Sequence, residues 1–300
     1  MRSPGVADAV RRHGGLCHIS CLSAEGISPD RVQRAASRGE VTRARTGWYL
    51  VGTPHSDLVT AVRAGGAVGC VSALRLRGVW VVDGGALHVR VRRGTAAAGA
   101  DGVRTHWSDH PVVTPIDPVL DAVRCAAHCL PLEHAIAALD SALHLRLVTL
   151  AELRLDADAR MRRMIPLLDA RSESGLESFA RLRLRRLRIR LRTQVRIPGV
   201  GRVDILIGDR LILELDGEEF HDFERDRARD RRAAVRGYVT IRASYRQVMN
   251  EWAALEAELM VLIRRRDHLG GARRGRETRV RVLTAQASTR APKGVVRPQL

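Results

Sequence analysis

Between positions 201 and 217 the chain reads Gly-Arg-Val-Asp-Ile-Leu-Ile, a turn at Gly208-Asp209, and then Leu211-Ile-Leu-Glu-Leu-Asp-Gly217. Two adjacent β-strands are the natural reading. Side chains alternate along a strand, so Glu214 and Asp216 share one face of the second strand while Leu213 and Leu215 point into a core. A carboxylate in an otherwise apolar strand needs a partner or an ion. With Asp204 on the neighbouring strand, three carboxylates meet at one sheet edge. In a strongly basic chain this points to a divalent metal and a phosphodiester.

The chain has 300 residues and a formal net charge of +18. That length suits two or three small domains, each with its own core. The charge marks a polyanion partner, nucleic acid before an anionic membrane. Aromatic residues make up only 3% of the chain, which argues against base stacking as the main binding device. Lys293 is the sole lysine. Such a bias reflects base composition as readily as a need for phosphate forks, so the arginines carry charge more than specificity.

Cys17, Cys21, Cys70, Cys125 and Cys129 are odd in number, and no secretory leader precedes them. Both features fit a reducing cytoplasm. No stretch is apolar enough to span a membrane, and no basic amphipathic helix carries aromatic anchors. The sequence predicts no membrane partner.

The expected fold class is a multidomain α+β or α/β chain. Residues 1–52 predict a small winged helix-turn-helix. Helices over Ala7–Arg12 and His18–Ala24 precede a third, for which Ser28 is the N-cap, Pro29 the first helical residue and Asp30 the dipole partner. Gly39 stops it. Val41–Arg45 and Trp48–Val51 alternate around Thr46-Gly47 as a hairpin wing. Residues 53–170 form a middle α/β region without assigned chemistry, with a strand at 86–91, a Gly-rich loop at 94–102, a helical period over 117–146 broken near Pro131, and another over 150–168. Residues 171–266 give the order αβββαβα. The helix capped by Ser174 comes first, then strands around 189–197, 201–207 and 211–217. A charged helix over 222–236, a strand at Val239–Ile241 and a final helix over 245–266 complete it. Residues 267–300 are basic and lack an apolar period, as a disordered tail does.

The third unit resembles the PD-(D/E)XK nuclease superfamily, and within it the very-short-patch-repair-like endonuclease domains. The resemblance rests on Ser174-Gly-Leu-Glu177-Ser178, Arg202-Val203-Asp204, Glu214-Leu-Asp216-Gly217, His221, and Arg225-Asp226 through Asp230-Arg231. It covers about a third of the chain and implies a restriction-endonuclease-like fold with Mg²⁺, or Mn²⁺, as cofactor. Asp204 would be the central metal ligand, with Glu214 and Asp216 as further ligands. Glu177 would orient the attacking water, and His221 would act as base or water positioner. A bound Mg²⁺ neutralises phosphodiester charge and acidifies water. The family's lysine is missing, since Asp216 holds its position; repair-type relatives use a histidine instead. The competing reading makes Asp204 and Glu214 ordinary ion-pair partners of arginine and His221 a helix cap.

The N-terminal unit resembles the winged-helix domains of AbiEi-type antitoxins, on Ser28-Pro29-Asp30-Arg31-Val32, Arg38-Gly39-Glu40 and Arg43-Ala-Arg45-Thr-Gly47-Trp48-Tyr49. Arg31, Gln33, Arg34 and Arg38 would then face a major groove, and Arg43 and Arg45 would grip phosphates. The resemblance brings in a partner toxin protein; a protein-contact role for the same domain stays open. The run Arg181–Arg192, with Arg183 and Arg186 within it, would border the substrate channel and bind phosphates without sequence choice. Cys17-His18-Ile-Ser-Cys21 and Cys125-Ala-Ala-His128-Cys129 invite a zinc reading, but neither is a CxxC knuckle. Cysteines on a buried helix face explain both more simply than structural zinc.

These expectations describe a Mg²⁺-dependent DNA endonuclease with an N-terminal DNA-binding domain. The alternative is an antitoxin-like transcriptional regulator whose nuclease fold is inactive. Oligomeric state is left open.

Overall fold

The computed structural model describes residues 5–82, 84–95, 101–216 and 223–270. His221 lies outside these residues, as do positions 96–100 of the Gly-rich segment and 271–300 of the tail. The protein is mixed α/β, with three small sheets among the described residues. The chain divides into two compact units. The first holds residues 1–130 and 147–161; the second holds 131–146 and 162–300.

The first unit opens with α1 (Val6–Arg12), β1 (Leu16–His18), α2 (Ile19–Ala24), α3 (Pro29–Ser37), β2 (Thr42–Arg45) and β3 (Trp48–Leu50). Ser28 accepts the Arg31 N–H and Pro29 occupies the first turn, so local chemistry starts α3 where the sequence predicts. Val10, Leu22, Val32 and Tyr49 close a small core beneath these elements. One difference concerns Cys17. Leu16–His18 pairs antiparallel with Trp48–Leu50, so Cys17 lies on a strand. Helix α2 begins only after His18, whose ring accepts the Ser20 N–H. Cys17 and Cys21 therefore share no helix face. Cys17 is buried, and burial pushes its thiol up to about 12.

The same unit continues with α4 (Ser56–Arg63), β4 (Gly66–Val68), α5 (Cys70–Arg75), β5 (Leu87–Arg92), β6 (Val103–Ser108) and α6 (Val119–Cys129). Strand β5 is central, antiparallel to β4 and parallel to β6. Helices α5 and α6 pack on each other. Arg90 and the buried Asp117 form an ion pair at 2.7 Å that ties β5 to the segment before α6.

The chain enters the second unit at α7 (Leu132–His144), returns to the first at α8 (Leu150–Arg154), and leaves it along α9 (Ala159–Met164). The helical period at 150–168 is thus interrupted after Arg154, and a 3₁₀ turn (Ile165–Leu167) ends it.

The second unit then sets α10 (Gly175–Arg185), β7 (Leu191–Ile197), β8 (Gly201–Ile207), β9 (Leu211–Asp216), α11 (Phe223–Val235), β10 (Val239–Ser244), α12 (Tyr245–Asn250) and α13 (Trp252–Arg264). Sheet order is β10-β9-β8-β7, with β9 and β10 parallel and the other pairs antiparallel. A parallel neighbour requires a crossover, and α11 supplies it. The expected single final helix is broken at Glu251, the C-cap of α12 and N-cap of α13. Its carboxylate is held by Arg246 at 2.6 Å.

Helix α10 is buried along most of its length because α7 covers it. Asp140 of α7 is fully buried; it pairs with Arg181 and accepts the Ser178 hydroxyl, each at 2.7 Å. Its second oxygen accepts the Asp169 N–H at 2.7 Å. Burial outweighs these partners and pushes the Asp140 carboxyl up to about 6.

Candidate active site

Strands β8 and β9 pair from Ile207–Leu211 to Ile205–Leu213, and the ladder ends there. Beyond it the Asp204 side chain replaces backbone pairing: Oδ2 accepts the Leu215 N–H at 2.8 Å. The carboxylate is thereby fixed where the two strands part.

On the other side of β8, Gln194 of β7 lies opposite Asp204, between the paired residues Thr193–Ile205 and Val195–Val203. Its backbone is left-handed, with φ +52°, which is uncommon and costly inside a strand. Nε2 of Gln194 lies 2.6 Å from Glu177 Oε2 and 3.5 Å from Asp204 Oδ1. Two carboxylates facing one amide require its donor end, which fixes the orientation. The other amide atom, Oε1, is buried and finds no partner among the described residues.

Glu177 belongs to the first turn of α10, where Ser174 and Glu177 cap each other reciprocally. In that exchange Oε1 of Glu177 accepts the Ser174 N–H at 3.0 Å. Burial, with the nearby Asp204 charge in addition, raises its carboxyl above the usual range.

Glu214 and Asp216 face arginines. Glu214 is buried and meets Arg229 of α11 at 2.7 Å. Burial first and Asp204 second push its carboxyl up to about 7. Asp216 lies 3.3 Å from Arg242 of β10, and Arg242 also reaches Asp230 of α11 at 3.2 Å. The parallel register puts Arg242 directly beside Glu214.

Of the four described carboxylates predicted from sequence, Asp204, Glu214 and Asp216 thus lie on β8 and β9, and Glu177 of α10 is linked to Asp204 through Gln194. They do not form a closed cage: among the described residues, no three carboxylates bring oxygens within 4.8 Å of one another. Gln194 was missed by sequence reasoning. Its signal is its register, counted from the Pro198–Val200 turn, opposite Asp204.

The predicted DNA contacts separate by environment. Gln33, Arg34 and Arg38 are exposed along α3, and Arg38 pairs with Glu40 at 2.7 Å. Arg31 is half-buried. Arg43 is exposed on the hairpin and donates to Thr46 at 3.0 Å, whereas Arg45 turns to the Arg63 carbonyl at 3.3 Å. Arg183 is enclosed: it meets Glu133 at 2.9 Å, with the Phe179 and Trp252 rings 5.0 and 5.3 Å from its guanidinium carbon. Arg186 reaches the same Glu133 from solvent, at 2.5 Å.

No protein-family model matches the chain, and no curated protein matches it. No helix among the described residues is long and apolar enough to cross a membrane.

Proposed function

We propose that the second unit is a Mg²⁺-dependent phosphodiesterase acting on DNA, an endonuclease with a restriction-endonuclease-like fold. The supporting observation is Asp204, fixed where two strands diverge and flanked by Glu214 and by the Gln194–Glu177 pair. The donor set suits Mg²⁺, because every candidate is a hard oxygen. Mg²⁺ commonly takes only one or two protein carboxylates and keeps its waters, so a closed cage is not required. Gln194 Oε1, without a partner among the described residues, is a further acceptor beside this set.

Asp204 and Glu214 would hold the cation, with Asp216 alongside. When bound, Mg²⁺ would neutralise phosphodiester charge and acidify a water. Glu177 is positioned by Gln194 and the Ser174 N–H, and would orient the attacking water. Arg229 and Arg242 balance carboxylate charge and lie where a phosphate would find positive groups. The N-terminal helices and hairpin, read as a winged helix, would deliver DNA through Gln33, Arg34, Arg38 and Arg43. The net charge of +18 supports a DNA-directed enzyme, and the same reading makes it cytoplasmic.

A second reading has a specific observation in its favour. Glu214 and Asp216 are each ion-paired to arginine, and Asp216 stands where a catalytic lysine would be expected. An inactive nuclease fold serving an antitoxin-like regulator fits those pairs. The deciding experiment is cleavage of plasmid and oligonucleotide DNA by wild type and Asp204→Ala, with Mg²⁺, Mn²⁺ or chelator. Metal-dependent cutting that disappears in Asp204→Ala supports the enzyme. Sequence-selective binding without cutting supports the regulator.

A further inference from the structure

The first unit contains a second constellation, independent of the carboxylates. Cys70, His88, His106 and Cys129 each direct one donor atom to a common point, and the four atoms lie within 4.8 Å of one another. Each comes from a different element: Cys70 opens α5, His88 is on β5, His106 on β6, and Cys129 ends α6. The parallel register pairs His106 with Arg90, two residues beyond His88, so both imidazoles emerge on one face of the sheet. Cys70 and His88 are buried, while His106 and Cys129 are half-buried.

We propose that these four side chains bind one Zn²⁺ as a structural Cys₂His₂ site. Soft thiolates with imidazoles select zinc over the hard cations that suit carboxylates. Distances agree. Zinc bonds of about 2.3 Å to sulfur and about 2.05 Å to nitrogen give tetrahedral edges of about 3.3 Å for N···N and about 3.6 Å for N···S. His88 Nδ1 lies 3.0 Å from His106 Nε2 and 3.7 Å from Cys129 Sγ.

The backbone around Cys70 is consistent with a placed ligand. Cys70 has φ +49°, a left-handed conformation that a side chain with a Cβ rarely adopts. It follows Gly69, whose N–H bonds the His88 carbonyl at 2.9 Å; a Cβ on Gly69 would fall 2.7 Å from Asp117 Oδ2. The chain is thus pinned against β5 just before it turns the Cys70 thiol toward His88. The Ser72 hydroxyl accepts the His88 N–H at 2.9 Å and holds that strand against α5.

Four protein ligands leave no open position, so the ion fastens α5 and α6 to the sheet rather than acting on a substrate. Binding free energy then becomes folding free energy of the first unit. Cys125, one turn before Cys129 on α6, is an adjacent thiol outside the group of four converging donor atoms. The proposed site runs against the sequence-based preference for a buried helix-face Cys129, through partners far from it in sequence.

The test is metal analysis of the full-length protein purified without chelator. About one zinc per chain is expected, together with a lower thermal midpoint in chelator that zinc restores. Replacement by Co²⁺ should give intense tetrahedral visible bands and thiolate-to-cobalt charge transfer. Cys129→Ser and His106→Asn change the less buried ligands and should each lower bound metal about tenfold or more, whereas Cys125→Ser and Cys21→Ser should retain it. A wild type that is folded by circular dichroism yet takes up neither Zn²⁺ nor Co²⁺ overturns the proposal, leaving a hydrogen-bonded thiol–imidazole cluster. Octahedral cobalt bands, or metal lost in Cys125→Ser but kept in Cys129→Ser, also overturn it.

Discussion

Asp204 Oδ2 accepts the backbone N–H of Leu215 at 2.8 Å, across the point where β8 and β9 separate. The side chain therefore has a structural duty beside the proposed catalytic one, and substitutions should separate the two. Asp204→Asn retains an oxygen acceptor for Leu215 but loses the charge. Asp204→Ala leaves a partly buried N–H unpaired, at a cost of about 1–3 kcal/mol. Urea denaturation should show the Ala variant less stable than the Asn variant, while both lose metal-dependent cleavage. Cleavage retained in Asp204→Asn would remove Asp204 as a metal ligand.

Arg34 and Arg183 should behave oppositely. Arg34 is exposed on α3, so Arg34→Ala should weaken DNA binding and reduce the magnitude of the salt slope by about 1. Thermal stability should barely change. Arg183 is enclosed by Glu133, Phe179 and Trp252, so Arg183→Ala should lower stability and leave the slope intact. Binding isotherms at several salt concentrations, with thermal melts of the same variants, decide both points. An Arg183→Ala variant of normal stability and reduced slope would return Arg183 to the DNA-contact set.

What could be read from sequence follows from how locally each feature is encoded. Ser28-Pro29-Asp30 starts α3 by its own capping chemistry, and the alternation of Leu211–Asp216 needs only a strand to be meaningful. The carboxylates of β8 and β9 were legible for that reason. Gln194 was not, because its left-handed backbone and two carboxylate contacts depend on the partner strand and on α10. The break at Glu251 was hidden because Val248, Trp252 and Leu255 continue an apolar stripe across it. Cys70, His88, His106 and Cys129 were illegible as a group. Metal-ligand spacing is a local signal, and these four come from four elements. The pairing of α7 with α10 was equally hidden, since it rests on Asp140 meeting Arg181 and Ser178 from distant positions.

Gln194 offers a test of backbone strain against side-chain function. Gln194→Gly would relieve the left-handed conformation by about 1 kcal/mol and remove the donor shared by Glu177 and Asp204. Losing a hydrogen bond to a charged group costs about 1.5–3 kcal/mol, so the net loss of stability should be small. Cleavage should fall further than stability, with a higher Mg²⁺ requirement, because Glu177 loses the group that orients it. Unchanged Mg²⁺ dependence in a folded Gln194→Gly protein would confine Gln194 to a structural part.

The Asp140–Arg181 pair predicts a pH dependence whose sign is unusual for a paired carboxylate. Its neighbours are Arg181 and Ser178 from α10 and the Asp169 N–H, yet burial raises the carboxyl from 3.8 to about 6. The folded protein therefore keeps a proton that the unfolded chain releases once pH passes 3.8. Stability from this group is fully present below that point, declines as pH rises to about 6, and is level above it. Asp140→Asn has no proton to release, so its stability should lack that decline. At neutral pH it should be at least as stable as wild type, because a carboxyl raised to about 6 beside Arg181 means that the folded protein favours the neutral side chain over the ionised one. Urea midpoints of both proteins between pH 4 and pH 8 (on the order of one reading per half unit) measure the difference. A decline of equal size in Asp140→Asn would assign the titration to another group.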